Sequence, residues 1–321
     1  MHILVIGGAG YIGSHVVKEL LKNDIKVTVF DDMSTGQHEN LFPKADFILG
    51  SILDTQALER AMSQNVDGVI HLAAKKAVGE SMEHPEKYAV NNITGTLNIL
   101  NAMAKYKVKN FVFSSSAAVY GMPDYVPVDE KHPVNPINFY GFTKLEIERF
   151  LPWYGGLKGI NWIALRYFNA VGYDADGDVK GLEKNPQNLL PIVMETAVGM
   201  RPGMKIFGND YDTPDGTCIR DYIHVSDLAS AHLAAINYLS QGGTSQSLNL
   251  GTGKGISVLE MVQRTEEVIG QKINYEYAER RAGDPALLVA TSDMAQRLLD
   301  WMPHHSDLDN IIRTTWAMYQ K

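Results

Sequence analysis

The sequence predicts an α/β protein, a doubly wound parallel sheet followed by a smaller C-terminal α/β part that would bind substrate. Three observations lead there. A short apolar strand at His2–Ile6 breaks into Gly7, Gly10 and Gly13, which open a helix. Strand and helix patterns then alternate as far as residue 114, which implies a parallel sheet covered on both faces. Beyond Asn169 the alternation becomes irregular, so a smaller unit begins there.

The first strand, H-I-L-V-I, is apolar enough to be fully buried, and residues 11–21 carry Ile12, Val16 and Leu20 at helical spacing. The glycines therefore sit on a strand-to-helix turn. Gly7 permits the tight turn, Gly10 lets backbone approach a pyrophosphate, and Gly13 lets the helix pack closely on the strand. Tyr11 and Ile12 lie inside the same cofactor-binding turn, where a helix N-terminus offers free N–H groups and a positive dipole end.

The second strand, 26–30 (K-V-T-V-F), ends in Asp31-Asp32, about 20 residues past the glycines, where a dinucleotide fold needs a carboxylate for the adenosine ribose. Asp31 argues for NAD. A carboxylate repels the extra phosphate of NADP, and Ser34-Thr35-Gly36 offers no arginine to receive it. Asp46–Leu49 reads as a short third strand, 54–62 as a helix, and 68–72 as an apolar strand running into Ala73. His71, inside that strand, reads as a core histidine. A helix from about 84 to 106 carries Asn91-Asn92 in mid-course and leads to a fifth strand, Asn110–Ser114. Ligands of open α/β sheets lie outside the carboxyl ends of the strands, which points to Gly7, Asp31, Ala73 and the serines at 114–116.

Tyr140 and Lys144 stand four apart on a stretch that continues helically as K-L-E-I-E-R-F, so both fall on one helix face. An ammonium beside the phenol favours the phenolate. With the positive charge of NAD⁺ added, the tyrosine would drop from about 10 toward neutral pH and serve as base and acid.

Taken together, G-G-A-G-Y-I-G-S-H at 7–15, S-S-S-A-A-V-Y-G at 114–121, Y-G-F-T-K at 140–144, R-Y-F-N at 166–169, I-F-G-N-D-Y at 206–211, D-G-T-C-I-R-D-Y-I-H-V at 215–225 and R-R-A-G-D at 280–284 resemble the extended short-chain dehydrogenase/reductase family, and within it the UDP-glucose 4-epimerases. The resemblance spans nearly the whole chain. It implies a Rossmann-like domain over 1–170, later segments around 217–251 returning to it, and mainly UDP-sugar binding over 171–321. It implies Tyr140 as catalytic base, Lys144 as its tuner and holder of the nicotinamide ribose, and Ser116 as the hydroxyl on the sugar's 4-oxygen. Lys76 and Asn92 would line the cofactor. Asn169, Asn188, Leu189 and Lys205 would lie along the UDP-sugar, with Phe207 at the uracil. Arg220 and Arg281 would clamp the diphosphate, Asp284 would meet the uridine ribose, and Leu288 would bound the sugar. The family often has an acidic residue at the adenine; here Gly50 is followed by Ser51 and Ile52, so adenine would meet a neutral hydroxyl or backbone. A homodimer built from helices of the cofactor domain is also implied.

Composition narrows the alternatives. The net charge of −8 comes without any Lys/Arg run, which argues against nucleic acid or an anionic membrane as partner. One cysteine, Cys218, excludes an internal disulfide, and the ten histidines show no metal spacing, so no metal is expected. A strand beginning at residue 2 leaves no room for a leader, and the chain reads as cytoplasmic. In the C-terminal part 172–185 reads as a loop, 188–200 as a helix, 226–239 as a helix capped by Ser226, and Ser257 with Glu260 as a capping box for a helix through Val268. The reading is C4 epimerisation of UDP-glucose and UDP-galactose with NAD. Its rivals are 4-epimerisation of another UDP-sugar (an N-acetylhexosamine, a pentose or a glucuronate), a nucleotide-sugar dehydratase, and a silent NAD-binding regulator. A dehydratase needs a carboxylate near the serines, and residues 114–118 contain none. A regulator would have no use for the Tyr/Lys pair.

Overall fold

The computed structural model describes residues 1–183, 186–281 and 283–320. The chain runs through β1 (His2–Ile6), α1 (Tyr11–Lys22), β2 (Lys26–Asp31), β3 (Asp46–Leu49), α2 (Thr55–Met62) and β4 (Gly68–His71). Then come α3 (Val78–Glu83), α4 (Pro85–Tyr88), α5 (Gly95–Tyr106), β5 (Asn110–Ser114), α6 (Phe139–Lys158) and β6 (Asn161–Tyr167). The later part holds β7 (Asn169–Val171), α7 (Leu189–Ala197), β8 (Met204–Phe207), β9 (Ile219–His224), α8 (Val225–Ser240) and β10 (Gln246–Leu250). It closes with β11 (Gly255–Ser257), α9 (Val258–Ile269), β12 (Tyr275–Ala278), β13 (Leu287–Leu288), α10 (Asp293–Leu299) and α11 (Leu308–Tyr319).

Seven strands form a parallel sheet in the order β3-β2-β1-β4-β5-β6-β10. The order reverses between β1 and β4, and a ligand crevice opens there. One face is covered by α1, α8 and α10 through Val16, Val17, Leu20, Leu228, Ile236 and Leu299. The other is covered by α2, α5 and α6 through Leu58, Ile99, Leu100, Ile147 and Leu151. The strands between them are apolar on both sides, as β1 (all five residues buried) shows. Each fully buried aliphatic side chain contributes about 1.5–3 kcal/mol relative to exposure.

A four-stranded sheet (β11-β9-β13, with β7 on β9) and the pair β12-β8 make up the smaller part. Of the later segments around 217–251, β9 pairs in the small sheet, while α8 packs on the large sheet and β10 extends it. Apolar strands announce burial without naming their partners.

Local expectations differ in two places. The helix expected at 84–106 is α4 and α5 joined by a π-helical segment, Ala89–Thr94, whose extra residue per turn turns Asn92 inward; α3 precedes it. Ser226 does not cap α8. His224 does, its Nδ1 accepting from the Ser226 N–H at 3.0 Å while Nε2 faces Thr314 Oγ1 at 3.0 Å. Burial keeps that imidazole neutral, with a pKa of about 3, so Nδ1 is free to accept. The capping box is present, Ser257 and Glu260 bonding reciprocally at the start of α9. The loop expected over 172–185 is irregular as far as 183, its last two residues lying outside those described.

Candidate active site

The glycine turn has the shape its spacing demands. Gly7 has φ +86°, and a Cβ there would lie 2.6 Å from the Ala73 nitrogen. A Cβ on Gly13 would strike the Gly7 oxygen at 2.0 Å, so only glycine lets α1 pack this close. Gly10 is different. It is the N-cap of α1, makes no side-chain cap bond, and its Cβ would meet nothing nearer than Gly7 O at 3.4 Å. The space before it is open, and the first helical N–H groups, including those of Tyr11 and Ile12, have no intrahelical partner. No acidic residue occupies the first turn of α1 to oppose an anion. These features fit a bound pyrophosphate.

Asp31 ends β2, almost fully buried, with Oδ2 accepting from Ala9 N at 3.0 Å and Oδ1 from Met33 N at 2.9 Å. Burial raises its pKa, those two N–H bonds oppose the rise, and Asp32 adds to it. Asp32 is exposed and accepts from Ser34 N. Ser51 lies just past β3, its hydroxyl accepting from Leu53 N at 3.2 Å, and Ile52 is buried against Gly95. Asn92 bridges two elements: Oδ1 accepts from Lys75 N at 2.8 Å, and Nδ2 donates to Lys75 O at 3.0 Å and Thr143 Oγ1 at 3.1 Å. It ties the segment after β4 to α6. Lys76 reaches away to Glu183 at 2.6 Å.

Segment 172–183 crosses in front of the glycine turn. Tyr11 OH donates to Gly172 O, Gly181 N donates to Asn40 Oδ1 at 2.8 Å, and Gln37 donates to Leu182 O. Lys18 Nζ gathers Asp174, Asp176 and Asp178 at 2.5, 2.8 and 3.0 Å.

At the end of β5 three serines are each held differently. Ser114 O accepts from Lys144 Nζ at 2.6 Å, and Ser114 Oγ meets His232 Nε2 at 3.0 Å. Ser115 Oγ donates to Glu148 at 2.5 Å. Ser116 Oγ accepts from Ala118 N at 3.2 Å and lies close enough to Tyr140 to favour its phenolate. The last contact depends on Gly141, whose lack of a Cβ lets α6 lie on the turn that carries Ala118. Lys144 Nζ is 4.7 Å from the Phe113 ring centre and 5.8 Å from that of Tyr140. Among the protein's own groups, burial raises the Tyr140 phenol and the nearby Ser116 hydroxyl works against it. Burial lowers Lys144 to about 7, with Glu148 resisting. The tyrosine is therefore not depressed by the lysine alone, and a further positive charge at the site is required to reach neutral pH.

On the other side of the cleft Arg220, half-buried on β9, pairs with Asp284 and donates to Ile219 O at 2.7 Å. Arg280, which could have claimed Asp284, pairs with Asp210 at 2.7 Å instead and lies over the Tyr211 ring. The Arg281 guanidinium stacks on Phe207 at 4.0 Å. Lys205 lies on the same face of β8 and pairs with Glu276 at 3.3 Å. Asn188 is the N-cap of α7 without a side-chain cap bond, Leu189 is half-buried behind it, and Asn169 Nδ2 donates to Asp221 O at 3.0 Å. Leu288 is in register with Arg220 and packs on the apolar cluster of Ala117, Val119, Tyr120, Val128 and Leu145, which follows Ser116 in the chain. Ile137 lies against Gly283, so the segment before Tyr140 touches the loop bearing Asp284.

Sequence reading missed Glu148 and Arg166. A signal existed for both: Glu148 continues the 140, 144 helical stripe, and Arg166 is a lone charge in an apolar strand, which demands a partner. It also missed Glu183 and Asp221; Asp221 is buried and accepts from Thr252, Gly253 and Ala290. Among the described residues no group of His, Cys, Asp and Glu could hold a metal ion, and no helix is long and apolar enough to cross a membrane.

Sheet order, glycine cradle and Tyr-Lys pair together define a dinucleotide-dependent enzyme of the dehydrogenase/reductase type. The chain belongs to the NAD dependent epimerase/dehydratase family, whose profile matches residues 3–251. It is 45% identical over 323 residues to the UDP-glucose 4-epimerase of Streptococcus mutans serotype c, covering 99% of this chain and 97% of that one. The crystal structure of UDP-glucose 4-epimerase from Brucella ovis in complex with NAD is 43% identical with a TM-score of 0.97, covering 99% of this chain and 98% of that one. That of the Bifidobacterium longum enzyme in complex with NAD⁺ and UDP is 37% identical with a TM-score of 0.94, covering 100% of this chain and 98% of that one.

Proposed function

We propose that this protein interconverts UDP-glucose and UDP-galactose by inverting carbon 4 of the hexose, with NAD as a bound and regenerated cofactor. The observation that carries the reading is the meeting of Tyr140 and Lys144 on α6 with the serines at the end of β5, next to an open glycine cradle. Gly7, Gly10, Gly13, Tyr11, Ile12, Asp31, Asp32, Ser51, Ile52, Ala73, Lys76 and Asn92 are the residues proposed to hold the cofactor. When bound, NAD⁺ takes the hydride from carbon 4 and gives it back.

Tyr140, as phenolate, accepts the proton of the 4-hydroxyl directly or through Ser116, leaving a 4-keto sugar. The Lys144 ammonium favours that phenolate. Arg220, Arg281, Asn188 and Asp284 grip the UDP while Phe207 faces the uracil. A ring that already accepts a flat guanidinium at 4.0 Å accepts a flat base equally well. With the sugar held more loosely than the nucleotide, the ketose can rotate about its link to the diphosphate and present its other face. Tyr140 then returns the proton. Binding energy remote from the reacting carbon supports this, since it holds the nucleotide through both half-reactions.

In the same reading residues 1–170, with α8 and β10, form the cofactor unit and 171–321 mainly the UDP-sugar unit. The enzyme is a cytoplasmic homodimer. Its lone thiol, Cys218, is buried and unbridged, as a reducing compartment allows. Trp153 and Leu157 on α6 are 69% and 73% exposed, large apolar surface that a second copy would cover.

The test is incubation of purified protein with UDP-galactose without added NAD, followed by sugar analysis after hydrolysis. Glucose is the expected product. No conversion even with NAD supplied, or undiminished conversion by Tyr140→Phe, would remove the assignment.

A further inference from the structure

Behind the three serines lies a buried ion pair that the mechanism above does not use. Arg166 on β6 directs Nε to both carboxylate oxygens of Glu148 on α6, at 3.0 and 3.1 Å, and Nη2 to Oε2 at 2.5 Å. The same carboxylate accepts from Ser115 Oγ at 2.5 Å and Ser247 Oγ at 3.0 Å. Arg166 Nη1 donates to Tyr120 OH at 3.0 Å, and Tyr120 OH donates to Asn249 Oδ1 at 2.6 Å. Both side chains of the pair are less than 10% exposed. A buried ion pair stabilises a fold no better than apolar side chains of similar volume, so stability alone does not account for it.

Its position offers another task. Glu148 is one helical turn beyond Lys144, and Ser115, which it holds, sits between Ser114, whose carbonyl takes the lysine's hydrogen bond, and Ser116, which meets Tyr140. We propose that Glu148, locked by the Arg166 guanidinium, is a positioning residue that fixes the serine strand end and keeps Lys144 charged beside Tyr140. This inference rests on the epimerase reading.

Burial works against the Lys144 charge, and Glu148 is the carboxylate that counters it. The other groups around the lysine give no such help. Tyr140 shares its helix. Burial, with Lys144 adding to it, keeps His71 on β4 neutral, and burial does the same for His232 on α8. Tyr167 on β6 is a buried phenol, its pKa raised, and Arg166 is a cation. NAD⁺ would add another positive charge. Removing Glu148 therefore leaves cations facing one another, while weakening the Arg166 fork leaves Glu148 less neutralised. The two changes must move the Lys144 titration in opposite directions.

The experiment is the pH profile of kcat for UDP-galactose conversion by wild type, Glu148→Gln and Arg166→Lys, each as the NAD-loaded protein. Tyr140 must be ionised and Lys144 charged, so the alkaline limb reports the lysine. In Glu148→Gln that limb moves down by about one pH unit, and in Arg166→Lys it moves up. A residue that merely packs would lower kcat in both and leave the limb within roughly 0.2 of wild type, which overturns the proposal. Should Glu148→Gln not fold, the direction in Arg166→Lys decides alone, an unmoved or lowered limb counting against it. An inactive wild type would instead sink the epimerase reading, a separate result.

Discussion

Gly141 lies against the backbone of Ala118, so closely that a Cβ on the glycine would sit 2.4 Å from the alanine's carbonyl oxygen. This contact seats the first turn of α6 on the 117–119 turn and brings Tyr140 to Ser116. Gly141→Ala must push the two apart by about an ångström, and misplacement on that scale costs about 100-fold in rate. The expected result is a fall in kcat of at least about 10-fold with NAD retained and far-ultraviolet circular dichroism unchanged. A kcat within about two-fold of wild type would show that the contact does not set the Tyr140 position.

The glycines of the cradle separate folding from binding. Gly13→Ala forces its Cβ to 2.0 Å from Gly7 O, displacing α1, so both stability and NAD retention should fail. Gly10→Ala meets only Gly7 O at 3.4 Å, and stability should stay within about 0.5 kcal/mol of wild type. Its methyl group enters the space assigned to the pyrophosphate. Denaturing the purified variant and measuring released nucleotide should show NAD occupancy reduced by at least about 10-fold. Full occupancy would mean that the phosphates lie elsewhere.

Four buried histidines make the fold sensitive to acid. Burial lowers His15 to about 4, His71 to about 3, His224 to about 3 and His232 to about 4, while the unfolded chain protonates near 6.5. The unfolded state binds more protons between those values, so the stability present above pH 6.5 drains away as the pH falls toward 4. Urea midpoints at pH 7.5, 5.5 and 4.5 should decline in order. His232→Gln should flatten part of that decline, its amide being able to donate to Leu228 O and accept from Ser114 as the ring nitrogens do. A midpoint that does not move between pH 6.5 and 4.5 contradicts this account.

What could be read from the sequence was what is local. Gly7, Gly10 and Gly13 act within a dozen residues, and the Tyr140–Lys144 spacing needs only a helix. The parallel sheet was legible because its strands are apolar without alternation. Contacts set by tertiary packing were not. Arg220 finds Asp284 across 64 residues of chain, leaving Arg280 to Asp210. His224 caps α8 because burial holds its ring neutral while Thr314 meets Nε2, and no local pattern announces that. The choice of β9 for the small sheet follows from its pairing with β7, as Asn169 lies opposite Tyr222. The π-helical turn that places Asn92 is likewise invisible in a run such as A-V-N-N-I-T.

Leu288 gives the sharpest test of substrate choice. On β13 it sits in register with Arg220 and packs on the cluster that holds Ala117 and Val119 with Tyr120, Val128 and Leu145, so it lies between the proposed diphosphate clamp and the serine turn. The sugar must lie between those two features if its phosphates meet Arg220 and its 4-oxygen meets Ser116. A leucine leaves room on that wall which an aromatic ring would fill. Wild type should therefore convert both UDP-galactose and UDP-N-acetylgalactosamine, while Leu288→Tyr keeps the first and loses the second. An acetamido group shut out by steric overlap should shift the ratio of kcat/KM values by at least about 10-fold, or about 1.4 kcal/mol. Equal losses on both sugars would show that residue 288 shapes the active site as a whole, and an unchanged ratio would place the 2-substituent against another wall.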